Sequence, residues 1–113
     1  MLFTIIGKHI TISDGLRSRA QERTEKLPKY YSGINQVEVR IDGNEGGKTS
    51  VEVIARGEHG NLFVATELGD DAYQCIDLAV HKIEQQLRKK KARERDNKHV
   101  GGRGAAEGSD FTG

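Results

Sequence analysis

The sequence predicts an α+β fold in which one four-stranded sheet carries two helices on a single face. Apolar residues alternate with charged ones at Val37, Val39 and Ile41, which is the period-2 pattern of a strand with one buried face. Farther along the chain, apolar residues recur at helical spacing from Tyr73 to Leu87. Packing both stripes together in two layers buries them economically, and the predicted order of elements is β-α-β-β-β-α.

The first strand and the first helix are predicted in residues 2–7 and 14–27. Residues 2–7 are short and rich in β-formers, and Gly7 ends the run. Ser13 is a candidate N-cap, because its hydroxyl can accept a hydrogen bond from an amide of the first helical turn. The apolar face of the helix contains Leu16, Ala20, Thr24 and Leu27. Pro28 has no amide hydrogen, so we expect the helix to end or kink beside it.

Three further strands are predicted between residues 37 and 67. Residues 37–42 and 50–56 alternate, whereas the fourth strand, residues 62–67, has three consecutive apolar residues and no assignable inner face. Flexible turns at 42–47 and 57–60 separate these strands. We expect the outer face of the sheet to be exposed to water, since it carries Glu38, Arg40, Glu52 and Arg56.

The second helix is predicted to open at residues 69–71, with Asp70 as its cap. Its apolar stripe is formed by Tyr73, Ile76, Val80, Ile83 and Leu87. After Leu87 the sequence is almost wholly basic, so we expect the helix to extend past the body of the domain. The predicted domain therefore spans residues 1–95, and the Gly-rich residues 96–113 are expected to be a disordered tail.

Size and composition favour one small cytoplasmic domain. The chain has 113 residues, of which 35% are hydrophobic, and it has no Trp. Its single cysteine, Cys75, cannot form an internal disulfide, which favours a reducing compartment. We find no secretory signal, and no apolar run approaches the roughly 20 residues of a membrane span. We expect a monomer when the protein is free, without a membrane partner.

No catalytic or metal-binding constellation is evident. Gly46-Gly47-Lys48 resembles the end of a phosphate-binding loop, but Asp42 stands where the motif needs glycine, and a predicted strand follows where the motif needs a helix. The four histidines lack metal spacing. Cys75 has no histidine base nearby in sequence. We therefore predict a protein that is not an enzyme and that needs no cofactor or metal.

The distribution of charge is more informative than the net charge of +1. Residues 1–34 carry six Lys/Arg against three Asp/Glu, and residues 78–98 carry eight against three, whereas residues 35–71 carry three against eight. If the two helices lie side by side, their cations form one positive patch suited to phosphates. Few aromatic residues are available to stack on bases, so folded RNA is favoured over single strands. An ordinary solvated surface is the alternative.

The sequence from Gly69 to Arg93, GDDAYQCIDLAVHKIEQQLRKKKAR, resembles the ribosome hibernation promoting factor and ribosome-associated translation inhibitor family. The residues that carry this resemblance in the second helix are Asp71, Tyr73, Ile76-Asp77, Lys82, Gln86-Leu87, Lys89 and Lys91. Residues in the first part also match: Ile5, Gly7, Ile12-Ser13, Leu16, Lys26-Leu27 and Ile34-Asn35-Gln36-Val37. The resemblance covers about residues 1–95.

The resemblance implies a fold similar to double-stranded-RNA-binding domains. It also implies binding to the decoding region of the small ribosomal subunit and its rRNA, where the protein would block the mRNA and tRNA sites in stationary phase or starvation; DNA is not an expected partner. The rRNA contacts that it implies are Lys8, Arg23, Lys26, Lys29, Lys82, Gln86, Lys89, Lys91 and Arg93, and the charge pattern adds Arg19 and Arg88. It gives Tyr73, Ile76 and Leu87 a packing role.

Two departures from the family pattern bear on these contacts. Gln85 stands where the family often has Arg, which removes one phosphate contact, and Pro28 falls where its first helix usually continues, which would displace Lys29. The tail resembles that of a short family member. Some short members favour ribosome dimers and others block them, and this tail indicates neither effect over the other. A general module for structured RNA and a protein-interaction modulator of a sigma factor remain the alternatives.

Overall fold

The computed structural model describes the backbone of residues 1–43 and 45–100, and the side chains of these residues except Glu45 and 96–100. In chain order the elements are β1 (Leu2–Lys8), α1 (Asp14–Thr24), β2 (Ile34–Asp42), β3 (Thr49–Gly57), β4 (Leu62–Gly69) and α2 (Ala72–Val100). Short 3₁₀ turns occupy Leu27–Lys29, Glu45–Gly47 and Glu58–Gly60. The predicted α+β fold with the order β-α-β-β-β-α is confirmed.

The four strands form one mixed sheet in the order β1-β2-β3-β4. β1 runs parallel to β2, because α1 carries the chain back across the sheet between them, and the two hairpins make the other pairs antiparallel. Ile5, Val39, Val53 and Ala65 lie in register across the sheet and point to the same side. Both helices pack on this side, as predicted.

The core lies between the sheet and the helices. Its fully buried large side chains include Leu27, Val37, Val39, Ile41, Val51, Val53, Ile76, Val80, Ile83 and Leu87. In β4, whose inner face the sequence left open, Phe63 and Ala65 point inward, and Leu62 and Val64 point to the opposite, exposed face. That face carries the predicted charged residues, and one apolar residue at its centre, Ile54, is covered by its neighbours and only 7% exposed.

The first helix is shorter than predicted. Ser13 Oγ accepts from the amide of Leu16 at 3.1 Å, which confirms the cap. α1 ends at Thr24 rather than at Leu27, and the chain continues into the 3₁₀ turn that contains Pro28. Proline cannot donate to the carbonyl one turn before it, so the α-helix does not extend across this position. Leu27 is nevertheless fully buried.

The second helix begins differently from the prediction. Asp71, not Asp70, caps α2, because its carboxylate accepts from the amide of Tyr73 at 2.9 Å, whereas Asp70 pairs with Lys48 at 3.2 Å. Tyr73 is 37% exposed and lies at the border of the apolar stripe rather than within it. The α2 backbone runs to Val100, so it includes residues 96–100 of the predicted tail. Residues 101–113 of the predicted tail lie outside the described residues.

No helix of residues 1–43 and 45–100 combines the length and apolar character needed to cross a membrane.

Candidate nucleic-acid interface

Two arginines of α1 meet one aspartate of α2 where the helices lie side by side. Arg19 Nη1 donates to Asp77 Oδ2 at 2.9 Å, and Arg23 Nε donates to Asp77 Oδ1 at 3.0 Å. Each carboxylate oxygen therefore serves one guanidinium, and most N–H donors of both arginines remain for another acceptor. All three side chains are between 32% and 39% exposed, so this arginine–aspartate junction is reachable from solvent.

Aromatic rings hold two arginines of the same surface. The guanidinium carbon of Arg19 lies 5.2 Å from the ring centroid of Tyr73, and that of Arg88 lies 4.9 Å from the ring centroid of Tyr30. Both distances are within the range of cation–π attraction. Tyr30 follows α1 and Arg88 is on α2, so this second pair joins the helices beyond the arginine–aspartate junction. A cation–π contact of this kind restricts the guanidinium without using any of its N–H donors.

Five more of the predicted contacts in the helical layer are exposed. Lys26 and Lys29 follow α1, and Lys89, Lys91 and Arg93 lie on the last part of α2 for which side chains are described. We call the full set the helical basic surface: Arg19, Arg23, Lys26, Lys29, Arg88, Lys89, Lys91 and Arg93. These are eight of the eleven predicted RNA-contact residues, and they belong to the two helices and the turn after α1.

Lys82 and Gln86, two other predicted contacts, lie on the flank of α2 away from Asp77, against the edge of the sheet, and Lys89 and Arg93 continue that flank at helical spacing. Lys82 Nζ donates to the carbonyl oxygen of Thr66 at 3.3 Å and pairs with the carboxylate of Glu67. Gln86 Nε2 donates to the carbonyl oxygen of Val64 at 2.9 Å. Both side chains therefore hold α2 to β4.

Lys8, the last of the predicted contacts, is separated from the helices by the sheet. It ends β1 in register with Asp42, on the exposed side of the sheet, where it lines a shallow cleft with Ile6, Arg40 and Glu52. The Arg40 guanidinium lies between Glu38 and Glu52, and the hydrogen bond to Glu38 raises the pKa of Arg40. The structure thus does not bring Lys8 together with the helical basic surface.

The basic end of α2 is fastened to the body of the domain beyond Leu87, where the sequence offers no apolar support. Tyr31 Oη donates to Glu94 Oε2 at 3.0 Å and accepts from Asn61 Nδ2 at 3.0 Å. The Tyr31 ring packs edge-on against Phe63, with centroids 5.9 Å apart. Burial, and next the hydrogen bond to Glu94, raises the pKa of Tyr31. These contacts keep Lys91 and Arg93 in a defined position relative to α1.

Three features considered in the sequence were the glycine-rich turn before β3, the metal-binding residue types and Cys75. Gly46-Gly47-Lys48 leads into β3 rather than into a helix, and Lys48 Nζ pairs with Asp70. Among the described residues, no group of three or more His, Cys, Asp and Glu side chains is arranged to hold a metal ion. Cys75 is 3% exposed, and burial raises the pKa of its thiol.

Sequence reasoning missed the role of Asp77 and of two tyrosines in this surface. Asp77 is noted for its resemblance alone, because its arginine partners lie on another helix, 54 and 58 positions away. The sequence indicates a packing role for Tyr73 and singles out no role for Tyr30. Their spacing from Arg19 and Arg88 depends on how α1 crosses α2, which no single-helix pattern contains.

Comparisons of the sequence with known proteins give a consistent family. Residues 3–95 match the family described as Sigma 54 modulation protein / S30EA ribosomal protein. The ribosome hibernation promotion factor of Staphylococcus aureus (strain COL) is 36% identical over 93 residues, which are 80% of this chain and 48% of that protein. The chain thus spans about half the length of this curated relative.

Solved structures show the same fold. The N-terminal domain of Thermus thermophilus Protein Y superposes with a TM-score of 0.71 at 27% identity, covering 79% of this chain and 98% of that one. A ribosomal subunit interface protein from Coxiella burnetii gives a TM-score of 0.74 at 25% identity, covering 81% and 99%. Since the family match spans nearly all of the described fold, the chain belongs to the Sigma 54 modulation protein / S30EA ribosomal protein family.

Proposed function

We propose that this protein is a ribosome-associated hibernation factor that binds the small subunit at its decoding region and inhibits translation by occupying the mRNA and tRNA sites. The observation that carries the proposal is the helical basic surface, in which three arginines are held in place by Asp77, Tyr73 and Tyr30. Fixed guanidinium groups suit the phosphates of a folded RNA, whose backbone geometry is itself fixed.

The names of its relatives support a ribosomal partner. The curated relative is called a ribosome hibernation promotion factor, and one structural relative is called a ribosomal subunit interface protein. The decoding region is the finer part of the proposal, which follows from the resemblance noted in the sequence. Inhibition would be steric: a bound domain would exclude other ligands and no covalent bond would change.

The proposal divides the predicted contacts into three groups. The helical basic surface contacts rRNA. Lys82 and Gln86 retain at most a second role in RNA binding, because both already donate to carbonyls of β4. Lys8 contacts RNA only if the subunit also reaches the other face of the sheet.

Co-sedimentation with ribosomes and with separated subunits, over a series of salt concentrations, tests the proposal directly. We expect binding to the small subunit that weakens as salt rises, with a slope of about −0.7 to −0.9 per phosphate neutralised. Added tRNA should compete if the decoding region is the site. Absence of binding at low salt would overturn the proposal, and binding without competition would move the site elsewhere on the subunit.

A matched pair of charge reversals tests which face binds. Lys91→Glu alters the helical basic surface, and Arg56→Glu makes the same change in net charge on the exposed face of the sheet. We expect Lys91→Glu to weaken binding about tenfold, as loss of a charged contact does, and Arg56→Glu to have little effect at moderate salt. The same measurement on Lys8→Glu shows whether Lys8 behaves like Lys91, as an RNA contact, or like Arg56, which should contribute little to binding.

A second function is favoured by the family description, which names sigma 54 modulation. The exposed face of the sheet carries Leu2, Ile6, Leu62, Val64 and Leu68, each at least 41% exposed, and a protein partner could cover them. Binding to a sigma factor through this face would be insensitive to salt and to Lys91→Glu. A complex lost on Val64→Lys but retained by Lys91→Glu would support this alternative.

A further inference from the structure

We propose that Asp77 is a positioning residue for rRNA recognition, which acts by fixing the guanidinium groups of Arg19 and Arg23 toward an RNA phosphate. The inference rests on the proposed function and adds to it a role for an acidic residue within a surface that binds an acidic polymer. Nothing in the charge pattern of the sequence assigns Asp77 such a role.

The geometry allows one carboxylate to hold both arginines and leave them usable. Arg19 spends one Nη1–H on Asp77 and Arg23 spends its Nε–H, at 2.9 and 3.0 Å. Since a guanidinium carries five N–H donors, four remain on each. The guanidinium carbon of Arg19 also lies 5.2 Å from the ring centroid of Tyr73, and this cation–π contact restricts the motion of the side chain.

Stability alone does not explain the junction well. Its three side chains are about one third exposed, and ion pairs of that exposure contribute little to folding. A negative charge in the middle of a phosphate-binding surface also lowers its attraction for RNA. The junction favours RNA binding on one condition. Ordering the two arginine side chains before binding must contribute more to the free energy of binding than the positive charge neutralised by Asp77 costs.

The two effects have opposite signs, so neutralising Asp77 separates them. In Asp77→Asn the surface gains one unit of positive charge, but the arginines keep only one of their two acceptor oxygens and that oxygen carries no charge. Glu84→Gln is the matched control: Glu84 lies on the same helix, adds the same charge when neutralised, and pairs with His81 rather than with an arginine. We expect Glu84→Gln to strengthen binding to the small subunit about 1.5- to 5-fold and Asp77→Asn to weaken it about tenfold.

A double-mutant cycle distinguishes positioning from a general structural effect. In a protein that already carries Arg19→Ala and Arg23→Ala, Asp77→Asn should no longer weaken binding and should strengthen it as Glu84→Gln does. If Asp77→Asn still weakens binding in that background, the loss is structural and the inference is wrong. If Asp77→Asn strengthens binding in the wild-type protein, charge dominates and the inference is also wrong.

Failure of the proposed function gives a different result. In that case the wild-type protein does not bind the small subunit at low salt, and none of the variants changes this. Thermal unfolding of each variant, run beside the binding measurement, shows whether the domain is folded at the assay temperature. A folded Asp77→Asn protein with weaker affinity, set against a Glu84→Gln protein with stronger affinity, is the result that supports the inference.

Discussion

The ammonium group of Lys82 lies 3.3 Å from the carbonyl oxygen of Thr66, at the outer edge of the last strand of the sheet. Gln86 makes the equivalent contact with Val64, so α2 supplies two donors to an edge that no other strand of residues 1–43 and 45–100 covers. Exposed edges of this kind are templates for pairing with another chain. Holding α2 against this edge of the sheet is therefore a structural role for Lys82 and Gln86 that does not involve RNA.

Replacing Lys82 by Met should therefore change stability more than affinity. The substitution keeps the aliphatic stem but removes the partner of Glu67, whose side chain is only 19% exposed, and frees the carbonyl of Thr66. We expect a loss of about 1 kcal/mol in the free energy of unfolding, which lowers the midpoint of thermal unfolding by about 4–8 °C.

The control for Lys82→Met is Lys91→Met, on the exposed end of the same helix. Lys91→Met should leave the midpoint nearly unchanged, since exposed substitutions away from such contacts have small effects, and should weaken binding to the small subunit. If Lys82→Met weakens binding as strongly as Lys91→Met does and leaves the midpoint unchanged, Lys82 is an RNA contact after all.

A tight approach between Gly15 and Tyr73 makes a second prediction possible. A Cβ atom built on Gly15 would overlap the hydroxyl oxygen of Tyr73, whereas the next atom of that ring is 3.5 Å away, an ordinary contact. Gly15→Ala should therefore push Tyr73 away from Arg19 and lower both stability and affinity for RNA. In a Tyr73→Phe protein the overlapping atom is gone, and the same substitution should stabilise by about 0.5–1 kcal/mol, because alanine is the better helix former.

Chemical denaturation of the four proteins of this cycle measures the effect of Gly15→Ala in each background. The expected result is a change of sign, destabilising with tyrosine and stabilising with phenylalanine at position 73. The same sign in both backgrounds would show that Gly15 is present for a reason other than its contact with Tyr73.

The alternation of β2 and β3 and the apolar stripe of α2 were sufficient to predict the fold. Local patterns determine which face of each element is apolar, and one sheet with two helices leaves few ways to bury those faces. The errors were at the ends of elements, where a single hydrogen bond determines which residue caps or ends a helix. Asp70 and Asp71 are both capable caps, and only the path of the chain selects Asp71 for Tyr73. The inner face of β4 was settled by its pairing with β3.

The sequence was sufficient to predict which basic residues belong to the two helices, but not how these residues are arranged in space. Charge counting identified the cations of α1 and α2 without showing that Lys82 lies on the flank facing β4 or that Lys8 lies beyond the sheet. Contacts between Asp77 and the arginines join residues 54 and 58 positions apart, so no local pattern reports them. The placement of rRNA on these residues stays a prediction.

The buried thiol of Cys75 leads to a third prediction. Burial raises its pKa above the usual 9.0, so the reactive thiolate is scarce in the folded protein. A thiol reagent at pH 8 should modify the native protein far more slowly than the protein unfolded in denaturant. Equal rates would show that Cys75 is accessible in solution.

The pH dependence of stability follows from the same shift. A group with a raised pKa contributes stability that is present below its unfolded pKa and lost as pH rises through its folded pKa. The contribution of Cys75 should therefore decline above about pH 9. Thermal midpoints of the wild-type and Cys75→Ala proteins should converge as pH rises from 8 to 10, and a constant difference would contradict the assignment.

The hydroxyl of Tyr31 joins Asn61 to Glu94 and so connects the sheet to the basic end of α2. Burial and then the Glu94 carboxylate raise the pKa of Tyr31 above 10.0, so its phenol should ionise only above that pH in an ultraviolet titration, and Tyr31→Phe should remove that step. By the same rule of sign, its stabilising contribution is complete below pH 10.0 and lost above it.

Below that pH, Tyr31→Phe should speed hydrogen exchange in α2 after Leu87 and leave the exchange of Val80 and Ile83 unchanged. Faster exchange throughout α2 would mean that Tyr31 stabilises the whole domain, whereas faster exchange confined to the end of the helix would show that one hydroxyl holds Lys91 and Arg93 in place for their partner.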